Sequence, residues 1–177
     1  MIAAVVLTYD APDGMLADCL AALARTARGT GPDDPVVEVI VVDNGTRAHL
    51  AGDVLRGVTL IESPANLGYA GGVNLGIRHA LGLGAEAVFV LNDDVTVEPG
   101  WLAPLLAELA DPAVGAVQPL LLFADGPPHR VNSRGVQLGR DGAGTDIGLG
   151  EPDRPDAVDP PSDLALFTGG AVLLCDR

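Results

Sequence analysis

From Ile2 to Leu7 the chain runs without a polar side chain, and near-copies of this run return at Val36–Val42, Val58–Ile61 and Ala87–Leu91. A strand with one wet face alternates polar and apolar residues. A continuous short apolar run instead suits a strand buried on both faces, as in a parallel sheet sandwiched between helices. The stretches between the runs carry the matching helical period. Leu16, Cys19, Leu20 and Leu23 recur at i, i+3, i+4 and i+7, with Gly29 placed to stop the helix. A short polar helix is expected around Arg47–Leu55, and a further helix from near Gly72. Leu102, Leu105, Leu106 and Leu109 mark another, with Pro99 near its start and Asp111-Pro112 at its end. The alternation predicts an α/β chain with a mainly parallel sheet and helices on both faces. At 177 residues it forms one domain, large enough to bury roughly 70% of its unfolded surface.

Beyond Pro119 the pattern changes. Val131–Leu138 reads as a strand of mixed polarity. Residues 141–163 hold seven acidic side chains against one Arg, with eight Gly or Pro, and are expected to be a mobile solvated loop. An apolar strand from Gly170 to Cys175 follows. The formal net charge of −14 argues against a nucleic-acid partner, because a phosphate backbone calls for a basic surface. It also repels any anionic substrate unless a cation intervenes locally. All ten basic residues are Arg, a bias of GC-rich bacterial coding sequence rather than of function. Cys19 and Cys175 lack metal-ligand spacing and read as reduced thiols, Cys19 on a helix's apolar stripe and Cys175 closing a strand. Met1-Ile2-Ala3 enters the first strand without a basic leader, and no run reaches the ~18 apolar residues of a membrane span. A cytoplasmic location, with peripheral contact at the inner membrane face allowed, is the expectation.

In an open parallel sheet, ligands bind at the carboxyl ends of the strands. Those ends carry Thr8-Tyr9-Asp10, Asp43-Asn44-Gly45-Thr46, the segment Asn66 to Asn74, and Asn92-Asp93-Asp94. Alone, Asp43-Asn44-Gly45 is an ordinary turn. Gly71 and Gly72 either form a tight loop or let backbone amides approach phosphate oxygens at a helix start. Asp93 and Asp94 say more. Adjacent carboxylates at the end of a buried strand repel each other, and a divalent cation relieves them. Hard oxygen ligands of this kind suit Mg²⁺ or Mn²⁺, which commonly bridge to diphosphate oxygens.

Taken in order, Val5-Val6-Leu7-Thr8-Tyr9, Val41-Val42-Asp43-Asn44-Gly45, Asn66-Leu67-Gly68-Tyr69-Ala70-Gly71-Gly72-Val73-Asn74-Leu75-Gly76 and Leu91-Asn92-Asp93-Asp94 resemble successive signatures of family 2 glycosyltransferases. Phe167-Thr168-Gly169-Gly170-Ala171 resembles a later one, and the third segment is similar to the rhamnosyltransferase-like branch. The resemblance implies a GT-A, Rossmann-like fold and inverting transfer of a sugar from a nucleoside diphosphate sugar, dTDP- or UDP-linked. It places Thr8, Tyr9 and Asp43 against nucleobase and ribose, and Asn66, Gly71 and Asn74 along ribose and diphosphate. Asn44, Gly169 and Gly170 belong to the same nucleotide-sugar site. Asn92-Asp93-Asp94 stands in the family's Asp-X-Asp position, with Asp94 as the metal ligand and Asp93 nearer the ribose or sugar. Asn in the first place of that motif, and Asp10 where Asn is commoner, are departures. The acceptor implied is a saccharide, a lipid-linked sugar or a small molecule. The family's base lies beyond the Thr-Gly-Gly segment, so no catalytic residue is identified here and the base is expected past Arg177. A non-catalytic sugar-nucleotide binding module is the alternative. A nucleotidyltransferase fits less well, since Thr8-Tyr9-Asp10-Ala11-Pro12 is neither Gly-rich nor basic.

Overall fold

A computed structural model describes residues 1–12, 14–26, 37–45, 55–154 and 160–176. Its centre is a six-stranded sheet. β1 (Ile2–Thr8) lies in the middle, fully buried along its length, paired in parallel with β2 (Val37–Asp43) on one side and β4 (Ala87–Asn92) on the other. β3 (Thr59–Glu62) extends the parallel part beyond β2. Past β4 the direction reverses: β10 (Ala171–Cys175) runs antiparallel to β4, and the two-residue β5 (Ala116–Val117) pairs with its far side. The strand order is therefore β3-β2-β1-β4-β10-β5.

The apolar runs are continuous because both faces of this sheet are covered. Ile2, Ala4 and Val6 pack with α1 (Met15–Thr26) and α3 (Leu102–Leu109), through Leu16, Cys19, Leu20, Leu23, Leu105 and Leu109. The alternate residues Ala3, Val5 and Leu7 pack with α2 (Gly68–Gly82) through Val73 and Ala80. Phe89 and Trp101 stack tilted with ring centroids 4.3 Å apart. The Trp101 indole N–H donates to Thr26 Oγ1 at 3.0 Å, tying the start of α3 to the end of α1. No described helix is long and apolar enough to cross a membrane.

Four details differ from the sequence reading. First, α2 starts at Gly68 rather than near Gly72. Gly72 and Gly76 are packing positions inside it: a Cβ on Gly76 would lie 2.4 Å from Val5 Cγ1, and one on Gly72 2.5 Å from Leu7 Cδ1. The bare backbone lets α2 seat directly on β1, so the glycines bury surface instead of breaking the helix. Second, the single strand expected over 131–138 is two, β7 (Val131–Ser133) and β8 (Val136–Leu138). The Ser133 hydroxyl accepts from Gly135 N and donates to Gly135 O, which bends the chain between them.

Third, the acidic segment contains β9 (Gly144–Asp146), paired with β8, and its backbone is bonded onto β7 and the loops around it from Arg134 N→Ile147 O to Asp153 N→His129 O. Side-chain composition does not report on such backbone ladders, which any residue but Pro can join. β7 also pairs with a short β6 (Leu121–Leu122). Fourth, the final strand starts at Ala171 and not Gly170. Most of the polar helix expected around Arg47–Leu55, and residues 155–159 of the acidic segment, lie outside the described residues.

Candidate functional site

The polar strand ends gather along one edge of the sheet. Thr8 is in register with Asp43 and Leu7 with Asn92, so the ends of β2, β1 and β4 stand in a row. Neighbouring strands are about 4.8 Å apart. Thr8 is buried and its Oγ1 has no hydrogen-bond partner among the described residues. A buried hydroxyl without a partner is rare in a folded protein, and a bound ligand is one way to satisfy it. Tyr9 beside it is half exposed. Asp10 adopts a left-handed backbone at φ +47°, which aims its carboxylate toward Gly45. A Cβ on Gly45 would meet Asp10 Oδ1 at 2.7 Å and Asp43 Oδ1 at 3.0 Å, so two carboxylate oxygens flank one bare backbone position. Asp43 Oδ1 also accepts the Gly45 amide at 2.9 Å.

Asn44 is buried and fully engaged. Its amide nitrogen donates to Asn66 Oδ1 and Gly68 O, both at 3.1 Å, and its oxygen accepts Leu67 N at 2.9 Å. Asn66 Oδ1 further accepts Gly68 N at 2.8 Å. The pair is a polar clamp that sets the amino end of α2 against the end of β2. Asn44 is thus spent on holding α2, and Asn66 is exposed beside it. Gly71 lies in the first turn of α2, and Asn74 is exposed one turn on. Asn66 takes the Gly68 amide, but the N-cap residue Leu67 offers no side-chain bond and the first turn holds no acidic residue. Its partial positive charge is therefore left for an anion.

On the other side of the row, Asp93 is half-buried and Asp94 exposed in the turn after β4. Asn92 bonds through its backbone, its amide donating to Gly170 O at 3.1 Å. Beneath the turn, the Cys19 thiol donates to Asn92 O at 3.8 Å. Burial, with the charges of Asp93 and Asp94 adding, pushes the Cys19 thiol up to about 12. Thiolate is the form that alkylates, so Cys19 should stay unmodified by iodoacetamide at pH 8 while the half-buried Cys175 reacts. Peptide mapping after labelling reads this directly, and faster labelling of Cys19 would contradict the buried thiol.

Three consecutive backbone groups ahead of β10 are held by three different elements. The Thr168 amide donates to Gln118 Oε1 at 2.7 Å, the Tyr69 hydroxyl donates to Gly169 O, and Gly170 O accepts from Asn92. Burial raises the Tyr69 phenol above its ordinary value. Gln118 and Ser133 escaped the sequence reading. The one available signal was a polar residue directly after the apolar pair Ala116-Val117. Asp176, in contrast, lies at the opposite edge of the sheet, its amide donating to Glu86 O at 3.2 Å where β10 ends. Five residues of strand put it roughly 17 Å from the row.

The family model described as Glycosyl transferase family 2 matches residues 3–151, most of the chain. This chain belongs to glycosyl transferase family 2. The chain is 37% identical over 131 residues to the galactofuranosyltransferase GlfT1 of Mycobacterium tuberculosis, covering 70% of this chain and 40% of that protein. It is 33% identical over 95 residues to the low-salt glycan biosynthesis hexosyltransferase Agl10 of Haloferax volcanii, covering 52% of this chain and 31% of that one. The chain thus spans well under half the length of these curated relatives. Among solved structures it resembles the mannosyltransferase PcManGT from Pyrobaculum calidifontis in complex with GDP-Man and Mn²⁺. There the TM-score is 0.54 and the identity 26%, over 66% of this chain and 34% of that one. GalNAc-T7 with UDP, GalNAc and Mn²⁺ matches at TM-score 0.69 and 13% identity, over 98% of this chain and 34% of its own, a likeness of fold. The expected GT-A architecture is thereby confirmed, with its mainly parallel central sheet.

Proposed function

We propose that this glycosyltransferase chain binds a nucleoside diphosphate sugar, dTDP- or UDP-linked, together with Mg²⁺ or Mn²⁺, as the donor part of an inverting transfer to an acceptor hydroxyl. The observation that carries the reading is the row of strand ends: a buried, partnerless Thr8 hydroxyl between Asp43 on one side and Asn92-Asp93-Asp94 on the other. Thr8, Tyr9 and Asp43 take nucleobase and ribose. Asn66, Gly71 and Asn74, on and before the start of α2, take ribose and diphosphate. Asp93, Gly169 and Gly170 adjoin the sugar.

The donor set fits a cation shared with the ligand. The described residues contain no cluster of three or more His, Cys, Asp or Glu that could enclose a metal ion. Asp94 alone can supply one hard oxygen, which suits Mg²⁺ or Mn²⁺ completing its shell with diphosphate and water oxygens. Such an ion, when bound, stabilises charge on the departing diphosphate. It also offsets the repulsion between an anionic donor and a chain of net charge −14. PcManGT, named above with GDP-Man and Mn²⁺, supports this reading. The acceptor is a saccharide, a lipid-linked sugar or a small molecule.

Calorimetric titration of UDP, dTDP and GDP in Mn²⁺, each repeated in EDTA, tests the proposal. Saturable binding of UDP or dTDP that weakens in EDTA is the expected result. No binding of any nucleoside diphosphate in Mn²⁺ would remove the reading.

A further inference from the structure

We infer that Gln118 is a positioning residue for the donor's sugar, acting through the backbone strap Thr168-Gly169-Gly170. The inference rests on the donor-site reading above and adds a residue outside it. The order of strands gives the direction of the ligand. If the base lies over the ends of β2 and β1 and the diphosphate over β1, α2 and Asp94, the sugar continues the line past β4 toward β10. The strap is the entry to β10, and it borders that last position. Its shape is set by three hydrogen bonds to consecutive peptide groups, from Gln118, Tyr69 and Asn92.

Of the three, Gln118 is the bond with support behind it. The strap's other two partners belong to elements that already line the row, α2 and β4. Gln118 sits on the far side, directly after β5, which pairs with β10. Its amide nitrogen donates to Ser133 Oγ at 3.3 Å. Ser133 is fully buried and is itself bonded to both backbone groups of Gly135. A Gln held at its nitrogen end presents its oxygen in one orientation, and that oxygen takes the Thr168 amide at 2.7 Å. The line Gly135–Ser133–Gln118–Thr168 thus anchors the strap to β7 from below, and Tyr69 and Asn92 hold it from the other side. A Cβ on Gly170 would lie 2.9 Å from Leu121 Cδ1 and one on Gly169 3.4 Å from the Tyr69 hydroxyl, so the two glycines let the strap lie close against β6 and α2.

The test uses the whole protein in Mn²⁺ with UDP, dTDP and the UDP- and dTDP-hexoses as probes. Gln118→Met keeps the volume and removes both polar ends. Gln118→Glu keeps an oxygen for the Thr168 amide, and its second oxygen can accept from Ser133 if that hydroxyl rotates. For the sugar nucleotide that the unaltered protein binds best, Gln118→Met should weaken affinity about tenfold, the loss of one hydrogen bond of ordinary net strength. Its affinity for the matching nucleoside diphosphate should stay within about twofold, because base and diphosphate lie on the other strands. Gln118→Glu should restore most of the loss. Should Gln118→Met fail to fold, Ser133→Ala loosens the same line one step back and should show the same split, more weakly. Equal losses for diphosphate and sugar nucleotide would mark Gln118 as structural and overturn the inference. So would no loss in Gln118→Met, or a protein that binds no hexose donor better than its bare diphosphate. Absence of nucleoside diphosphate binding in the unaltered protein is a different failure, that of the donor site itself.

Discussion

Asp94→Ala should leave nucleoside diphosphate affinity the same in Mn²⁺ as in EDTA, with a loss on the order of 10²-fold relative to the unaltered protein in Mn²⁺. The reasoning begins from charge. A chain of −14 repels a diphosphate, and the start of α2, with no acidic residue in its first turn, offsets only part of that repulsion. A divalent cation held by Asp94, the exposed carboxylate of the turn after β4, would supply the remainder. Asp94→Asn, which keeps an oxygen but no charge, should fall between. The fold should be indifferent, since Asp94 projects from an exposed turn. Titration calorimetry of UDP and dTDP against the three proteins decides it. An Asp94→Ala protein that still gains affinity from Mn²⁺ would place the cation elsewhere.

The second large effect belongs to Asn44. Asn44→Asp is nearly isosteric but loses both donors, so an oxygen comes to face Asn66 Oδ1 and Gly68 O in a buried position. Unmet buried acceptors and an uncompensated charge should cost about 3 kcal/mol at neutral pH. For a chain of this length that lowers the melting temperature by roughly 6–12 °C. The sign with pH is specific. Burial among acceptors raises the introduced carboxyl's pKa in the folded state, and its protonated form regains a donor. The deficit should therefore be largest above that raised value and shrink as the pH falls through it. Nucleotide affinity should fall as well, since the clamp sets where α2 begins. Melting curves from pH 5 to 8 read the first effect, and a deficit independent of pH would refute the assignment of Asn44's nitrogen as double donor.

Much of this architecture was legible because burial on two faces leaves a strand no choice of residue. β1, β2 and β4 were found nearly to the residue for that reason, and the strand-end motifs followed from where they stop. The same apolar quality concealed direction. Ala171–Cys175 looks alike whichever way it runs, and the reversal of β10 emerged only from its register with β4. By residue type Gly72 suits the beginning of a helix, yet Leu7 lies so close that only a glycine inside the helix fits. β5, β6 and β9 are two or three residues long, too short to show any period. Within the candidate site, residue identity showed which groups gather but not which are occupied. Asn44 and Asp43 are neighbours of similar size, and hydrogen-bond geometry alone makes one a clamp and leaves the other at the open row of strand ends.

The place of β10 in the sheet bears on how the chain is made. β1 and β2 can pair as soon as they leave the ribosome, and β4 can join them once residue 92 is out. From then on, the second edge of β4 is a bare ladder of N–H and C=O groups on a strand apolar from Ala87 to Leu91, and its partner is residues 171–175, about eighty positions later. During that interval β4 is open to pairing with any other extended chain, including a second nascent copy. Closing so long a loop also slows the final step, because its entropy is lost before the ladder forms. Yield in recombinant expression should therefore depend on the rate of synthesis between β4 and β10 more than on the stability of the finished sheet.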